Sequence, residues 1–227
     1  MLLNNGNPLR IASPLTKKET VTRLLEEEIV AIVPFFENQI LYCTIHFLSG
    51  HLIVKEKSKT VIDFLLGSLG LTYRAFKKMT AEFTFCGSYC QAIATTNYSL
   101  FPLTDSTNKE TIWVNSRQIT AVQLNNFQTQ LVFSNGLIIQ SPKKAAAIRN
   151  AIVKSLNTLT LIKYAQNIFT APFFTETYDL AHYLQLPEQA LAYEVVNQLF
   201  LQINREHVVT LQRLIIDYRI SQLYNVS

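Results

Sequence analysis

Residues 130–141 read QLVFSNGLIIQS. Two short apolar runs flank Asn135-Gly136, a dipeptide suited to the positive φ values of a type I′ hairpin turn. The stretch predicts two antiparallel strands and therefore a β-based core. Apolar residues fill both faces of the pair, where a half-exposed hairpin would alternate. A hairpin covered on both sides is expected, by the core on one and by a helix or second subunit on the other. A helix starting at Pro142, or the C-terminal segment, is the expected cover, so this hairpin should not touch a ligand.

Upstream, IWVNSRQITAVQLNN (112–126) reads as one strand led by Trp113. Arg117 lies an even four residues on and shares the tryptophan's face unless a bulge intervenes. Further back, IVAIVPFF (29–36), QILYCTIHFL (39–48) and HLIVKE (51–56) read as strands. AEFTFCGSYCQAIATT (81–96) reads as a return to strand, and 97–111 as a loop. Helical signals come between and after. Thr16 is the expected cap of a short helix, with Glu19 in the capping-box position. Ser58 is the expected cap of a second helix, whose Val61, Ile62, Leu65 and Leu66 recur at helical spacing before Gly67 and Gly70 interrupt it. Downstream, Ser141 as cap and Pro142 as first helical residue open a third. Its apolar side is Ile148, Ile152, Leu156 and Leu159, and its polar side Lys143, Ala147, Asn150, Lys154 and Asn157. NIFTAPFFTETYD (167–179) reads as an irregular linker, and from about Pro187 two helices follow, joined near Asn204.

The expected fold is α+β: an antiparallel β-sheet core with an inserted helical basic segment, a flanking helix and a helical C-terminal extension. The expected division is an N-terminal arm (1–28), a β-rich core (29–165) and the extension (166–227).

The chain has 227 residues, enough for a sizeable core, with 48% apolar and only 16% charged residues. Globular domains usually carry about a quarter charged. No apolar run reaches the roughly 18 residues of a membrane-spanning helix, and no leader pattern opens the chain. Three cysteines do not suggest a disulfide framework. A reducing, cytoplasmic location without membrane contact is expected. The net charge is +4. Between residues 55 and 78, Lys55, Lys57, Lys59, Arg74, Lys77 and Lys78 face only Glu56 and Asp63, so this segment alone carries an excess equal to the whole chain's. Beyond Tyr164 the chain is net acidic. The positive field belongs to the middle of the sequence.

Enzymatic signatures are missing. There is no P-loop, no GxGxxG after a strand, no GxSxG and no spaced carboxylate pair. Cys43 and His46, with Cys86 and Cys90, imitate a zinc pattern. A separation of three within a strand sends Cys43 and His46 to opposite faces, and buried thiols in an apolar sheet are the plainer reading. No metal or cofactor is expected. The lone Trp113 reads as core.

GSLGLTYRAFKKMT (67–80) carries the most chemistry: small residues, then Tyr73, Arg74, Lys77 and Lys78. Such cations contact phosphates or enter a narrow, electronegative minor groove. A solvated loop without specific contacts is the bland alternative. Four pieces in order, this one with NYSLFPLTDST (97–107), IWVNSRQITAV (112–122) and LVFSNGLIIQSP (131–142), resemble the ComK family of competence transcription factors over roughly 29–165.

The resemblance implies an activator of natural-transformation genes. It would bind double-stranded DNA at A/T-rich boxes as paired dimers, a homodimer or homotetramer on DNA, largely through the minor groove. It also implies control through an adaptor of a Clp-type protease, for which FTAPFFTETYDL (169–180) is a candidate docking segment. By position, Tyr73, Arg74, Lys77 and Lys78 match the family's basic segment, with Arg74 and Lys77 the leading contacts. Lys55, Lys57 and Lys59 are secondary phosphate candidates, as are Lys143 and Lys144 at a helix start. The lack of a recognisable recognition helix favours minor-groove readout over a helix-turn-helix. The segment here is bulkier and less glycine-rich than the family's, and the tail is longer. A competing class is a non-enzymatic PH-like or β-sandwich module whose basic patch meets an acidic protein or lipid headgroup.

Overall fold

A computed structural model describes residues 13–84, 92–95, 98–106, 108–166, 180–196 and 205–224. The apolar runs build two antiparallel sheets. β1 (Ile29–Glu37), β2 (Ile40–Phe47) and β3 (Gly50–Val54) form a meander. With β4 (Ile93–Ala94), β5 (Ser99–Pro102) and β6 (Trp113–Asn115) they make a six-stranded sheet ordered β3-β2-β1-β6-β5-β4. β7 (Ile119–Asn125), β8 (Gln128–Phe133) and β9 (Ile138–Ser141) form a second, three-stranded sheet in chain order. Pro34 sits in β1 beyond the short stretch that pairs with β6, where its missing N–H leaves no gap in that ladder.

The helices are α1 (Lys18–Glu26), α2 (Ser58–Gly67), α3 (Tyr73–Thr84), α4 (Ala145–Gln166), α5 (Leu180–Tyr183), α6 (Leu191–Val196) and α7 (Arg205–Tyr224). The architecture is α+β, as the sequence predicts. One core holds Trp113, Phe47, Phe76, Phe101 and Phe133, together with Ile148, Ile152, Leu156 and Leu159 of α4. Ala181, Leu184, Leu186, Ala190 and Ala192 join the same core from the C-terminal segment. α7 packs on α3 and α4.

Several local expectations are corrected. The strand led by Trp113 is two strands. Ser116–Gln118 forms a single 3-10 turn that carries the chain from the first sheet to the second, so Arg117 does not continue the tryptophan's strand face. Residues 81–84 continue α3 instead of returning to strand, because the buried spacing of Tyr73, Phe76, Met79 and Thr80 is helical. α1 starts at Lys18 after Lys17, without the Thr16 side-chain cap. Ser58 is the first residue of α2 and gives it no side-chain cap. Ser141 ends β9 and accepts a hydrogen bond from the Lys143 amide, and α4 begins only at Ala145. Residues 1–12, the linker at 167–179 and the join near Asn204 lie outside the described residues.

The opening hairpin differs as well. Of its turn residues only Gly136 has positive φ, at +81°, and the Gly136 amide donates to Phe133 O. That is a three-residue connection ending in a left-handed glycine, not type I′. The two-residue turns with both φ positive occur elsewhere, at Asn38-Gln39 and Asn126-Phe127. Nor is the hairpin covered on both faces: Leu131, Phe133 and Ile139 are buried, whereas Val132 is half-buried and Ile138 exposed.

Candidate nucleic-acid interface

The basic segment is folded as two helices joined by five residues, 68–72. The chain leaves α2 by a Schellman-type stop. The Leu71 amide donates to Leu66 O, the Gly70 amide to Gly67 O, and Gly70 takes φ +70°. Thr72 then caps α3, its hydroxyl accepting from the Ala75 amide at 3.3 Å. Asp63 of α2 accepts from the Tyr73 amide at 2.7 Å, which places a carboxylate at the positive end of α3. The glycine therefore serves the turn. The sequence reading gave this basic segment as helical, and what it missed is the stop at Gly70 that divides it into two helices. Its signals were Gly70 and Thr72 flanking Leu71.

One face of α3 is pinned inside. Tyr73 is 4% exposed and meets the Trp113 ring edge-on at 5.4 Å, and Phe76 is fully buried. The opposite face carries exposed Arg74 and Lys78 with half-buried Lys77, at i, i+4 and i+3 spacing. Three cations thus share the first turn and a half of one rigidly seated helix. Tyr73 is the member of the predicted set that lies in the core; its role here is to seat the helix.

The remaining candidates lie on other elements. Lys55, Lys57 and Lys59 are exposed around the start of α2. The Tyr73 amide, next to Arg74, meets Asp63 midway along α2, one helical turn from Lys59. Lys144 is exposed just ahead of α4, and Lys143 is half-buried with its Nζ donating to Pro102 O at 3.1 Å. Of the zinc-like pattern, Cys43 is buried and His46 lies on the other face of β2, while Cys86 and Cys90 lie outside the described residues. Burial pushes the Cys43 thiol up to about 12, so it is an unreactive thiol that donates to Glu56 O.

A family model described as ComK protein matches residues 21–166, more than half of the chain. The chain belongs to the ComK family. It is thereby a competence-related transcription factor, from a family of transcription factors and not of enzymes. No curated protein and no solved structure matches it.

The pieces that carry the ComK resemblance outside the basic segment are a buried polar corner where the two sheets meet. Asn115 ends the Trp strand. Its carbonyl oxygen accepts from the Ser99 and Arg117 amides, and its Nδ2 donates to Ile29 O at 2.7 Å and Glu28 Oε1 at 3.2 Å. Ser99, of the SLFP piece, donates to Ser155 O of α4, and Ser155 donates to Ser116 Oγ. In the SNG piece, Ser134 bonds Gln118 through both backbone and hydroxyl, and Asn135 Nδ2 donates to Phe47 O at 3.0 Å. Buried polar groups persist when they are satisfied in this way. Beside the corner, Arg117 pairs with Glu28 at 3.3 Å and donates to Gln185 O, and Lys163 donates to Tyr183 O. Burial, with Arg117 nearby, pushes Lys163 down to about 8. These landmarks are structural, and the surface cations lie outside the corner.

Proposed function

We propose that the protein is a cytoplasmic activator of competence genes that binds double-stranded DNA at A/T-rich boxes, mainly through the minor groove, as paired dimers. The observation that carries this reading is the ridge of Arg74, Lys77 and Lys78 on a helix fixed to the core through Tyr73 and Trp113. Cations on a rigid element hold a fixed register against phosphates and narrow grooves. Lys55, Lys57, Lys59 and Lys144 extend the positive field along the surface. Control by an adaptor of a Clp-type protease belongs to the same reading, with residues 169–180 as its docking segment.

Salt titration tests it. Each phosphate contact contributes about 0.9 to the slope of log affinity against log salt. An Arg74→Ala/Lys77→Ala/Lys78→Ala variant is expected to lower that slope by about 2–3 and to weaken binding to A/T-box duplexes, with its unfolding midpoint unchanged. A wild-type protein that binds A/T-box and G·C-rich duplexes equally, or neither, would sink the proposal.

A further inference from the structure

The tip of the β7–β8 hairpin is built against its own stability. Its two-residue turn is Asn126-Phe127, and Phe127 is held at φ +62°, a left-handed conformation that disfavours a bulky side chain. Glycine is the residue that turn prefers at this position. The phenyl ring recovers nothing by packing, because it is 98% exposed. Leu124, three residues earlier, is 72% exposed although it lies on the strand face that points to the core further down β7. The surrounding side chains are uncharged amides and a hydroxyl: Gln123, Asn125, Asn126, Gln128, Thr129 and Gln130. Gln123, Gln130 and Gln140 stand opposite one another across the three strands.

We propose that this tip is a minor-groove wedge: Phe127, flanked by Leu124, inserts between base steps of the bound duplex while the neighbouring Asn and Gln amides meet the groove floor. The inference rests on the DNA-binding reading above and adds to it the residues that deform the DNA. Minor-groove proteins combine amide side chains, which suit the acceptor pattern of A·T pairs, with apolar wedges that unstack a step and bend the duplex. Pyrimidine–purine steps in A/T-rich boxes open most readily. Other occupants fit worse. A lipid surface would call for cations beside the apolar pair, and residues 123–130 carry none. Two projecting side chains fall far short of the roughly 1,200 Å² of a stable protein interface.

The test uses the full chain and a duplex with two A/T-rich boxes, labelled at its ends for energy transfer and carrying 2-aminopurine at the TA steps. Phe127→Gly gives the turn its preferred residue, so its melting temperature should equal or exceed that of wild type. The same variant should lose the end-to-end approach and the 2-aminopurine brightening, and bind about tenfold or more weakly. Its salt slope should stay unchanged, since no phosphate contact is removed. Phe127→Leu should restore bending. If Phe127→Gly bends the duplex as wild type does, the wedge is overturned and the DNA-binding reading stands. If wild type binds no duplex, both fall. A Phe127→Gly protein that sediments as a smaller assembly while bending is preserved assigns the tip to self-association and overturns the wedge.

Discussion

His46 and His51 face each other across β2 and β3 with ring centroids 6.2 Å apart. Burial, and secondarily His51, push His46 down from 6.5 to about 4. A base whose folded pKa is depressed binds fewer protons folded than unfolded between those values. Stability from this residue is therefore present above pH 6.5 and is lost as pH falls toward 4, with a slope of at most about 1.4 kcal/mol per pH unit. Urea midpoints measured from pH 7 to 4 should show that loss, and His46→Gln should flatten it; an unchanged profile would assign the acid sensitivity to other groups. Cys43, three residues away, was legible from sequence as a buried thiol on the opposite face because strand alternation fixes both sides at once. Arg117 was not. Its burial depends on Glu28, 89 positions upstream, and on Gln185, 68 downstream, and no local pattern encodes those partners.

At the scale of elements, periodicity worked where elements are long and amphipathic. The buried side of α4 is the predicted Ile148, Ile152, Leu156 and Leu159. Periodicity failed where one run of β-prone residues serves two sheets. Nothing within IWVNSRQITAV marks a break, since the 3-10 turn is held by contacts with Ser99, Ser155 and Ser134 from distant elements. The α2–α3 connection was underread because its glycines suggested flexibility. The structure turns that into an expectation. Gly70→Ala must place a Cβ at φ +70°, which costs about 1–2 kcal/mol. Thermal unfolding should shift downward, and DNA affinity should fall with it if the stop at Gly70 sets the direction of α3. Equal stability for Gly70→Ala would mean the turn relaxes without a left-handed residue.

For the whole molecule, the basic ridge was legible as composition but not as geometry: sequence put the cations in one segment, and only the fold shows that α3 presents three of them together. The segment beyond residue 166 also changes in meaning. The family match ends there, yet Ala181, Leu184, Leu186, Ala190 and Ala192 lie in the same core as β1 and α4. Arg117 and Lys163 donate to its backbone carbonyls. Cutting the chain after Gln166 removes those acceptors and bares the core beneath. Unsatisfied buried groups cost about 1–3 kcal/mol each, and more when charged, before the lost apolar packing is counted. The loss is of the order of a domain's whole stability, about 5–15 kcal/mol. The 1–166 fragment should lack a cooperative urea transition; a fragment that unfolds at the full chain's midpoint would show that the extension is dispensable.

The polar corner has a mechanical side. A hairpin loaded at its tip behaves as a cantilever, and its stiffness is set at the clamped end. β7 leaves that end directly from the 3-10 turn, and β8 returns to Ser134, which is tied to Gln118, while Asn135 is tied to β2. Force applied at Asn126-Phe127 is thus delivered into the six-stranded sheet instead of being spent in flexing the arm. Bending 20–30 base pairs smoothly takes about 1–6 kcal/mol. A beam anchored at both of its strands is what can transmit that load without folding back on itself.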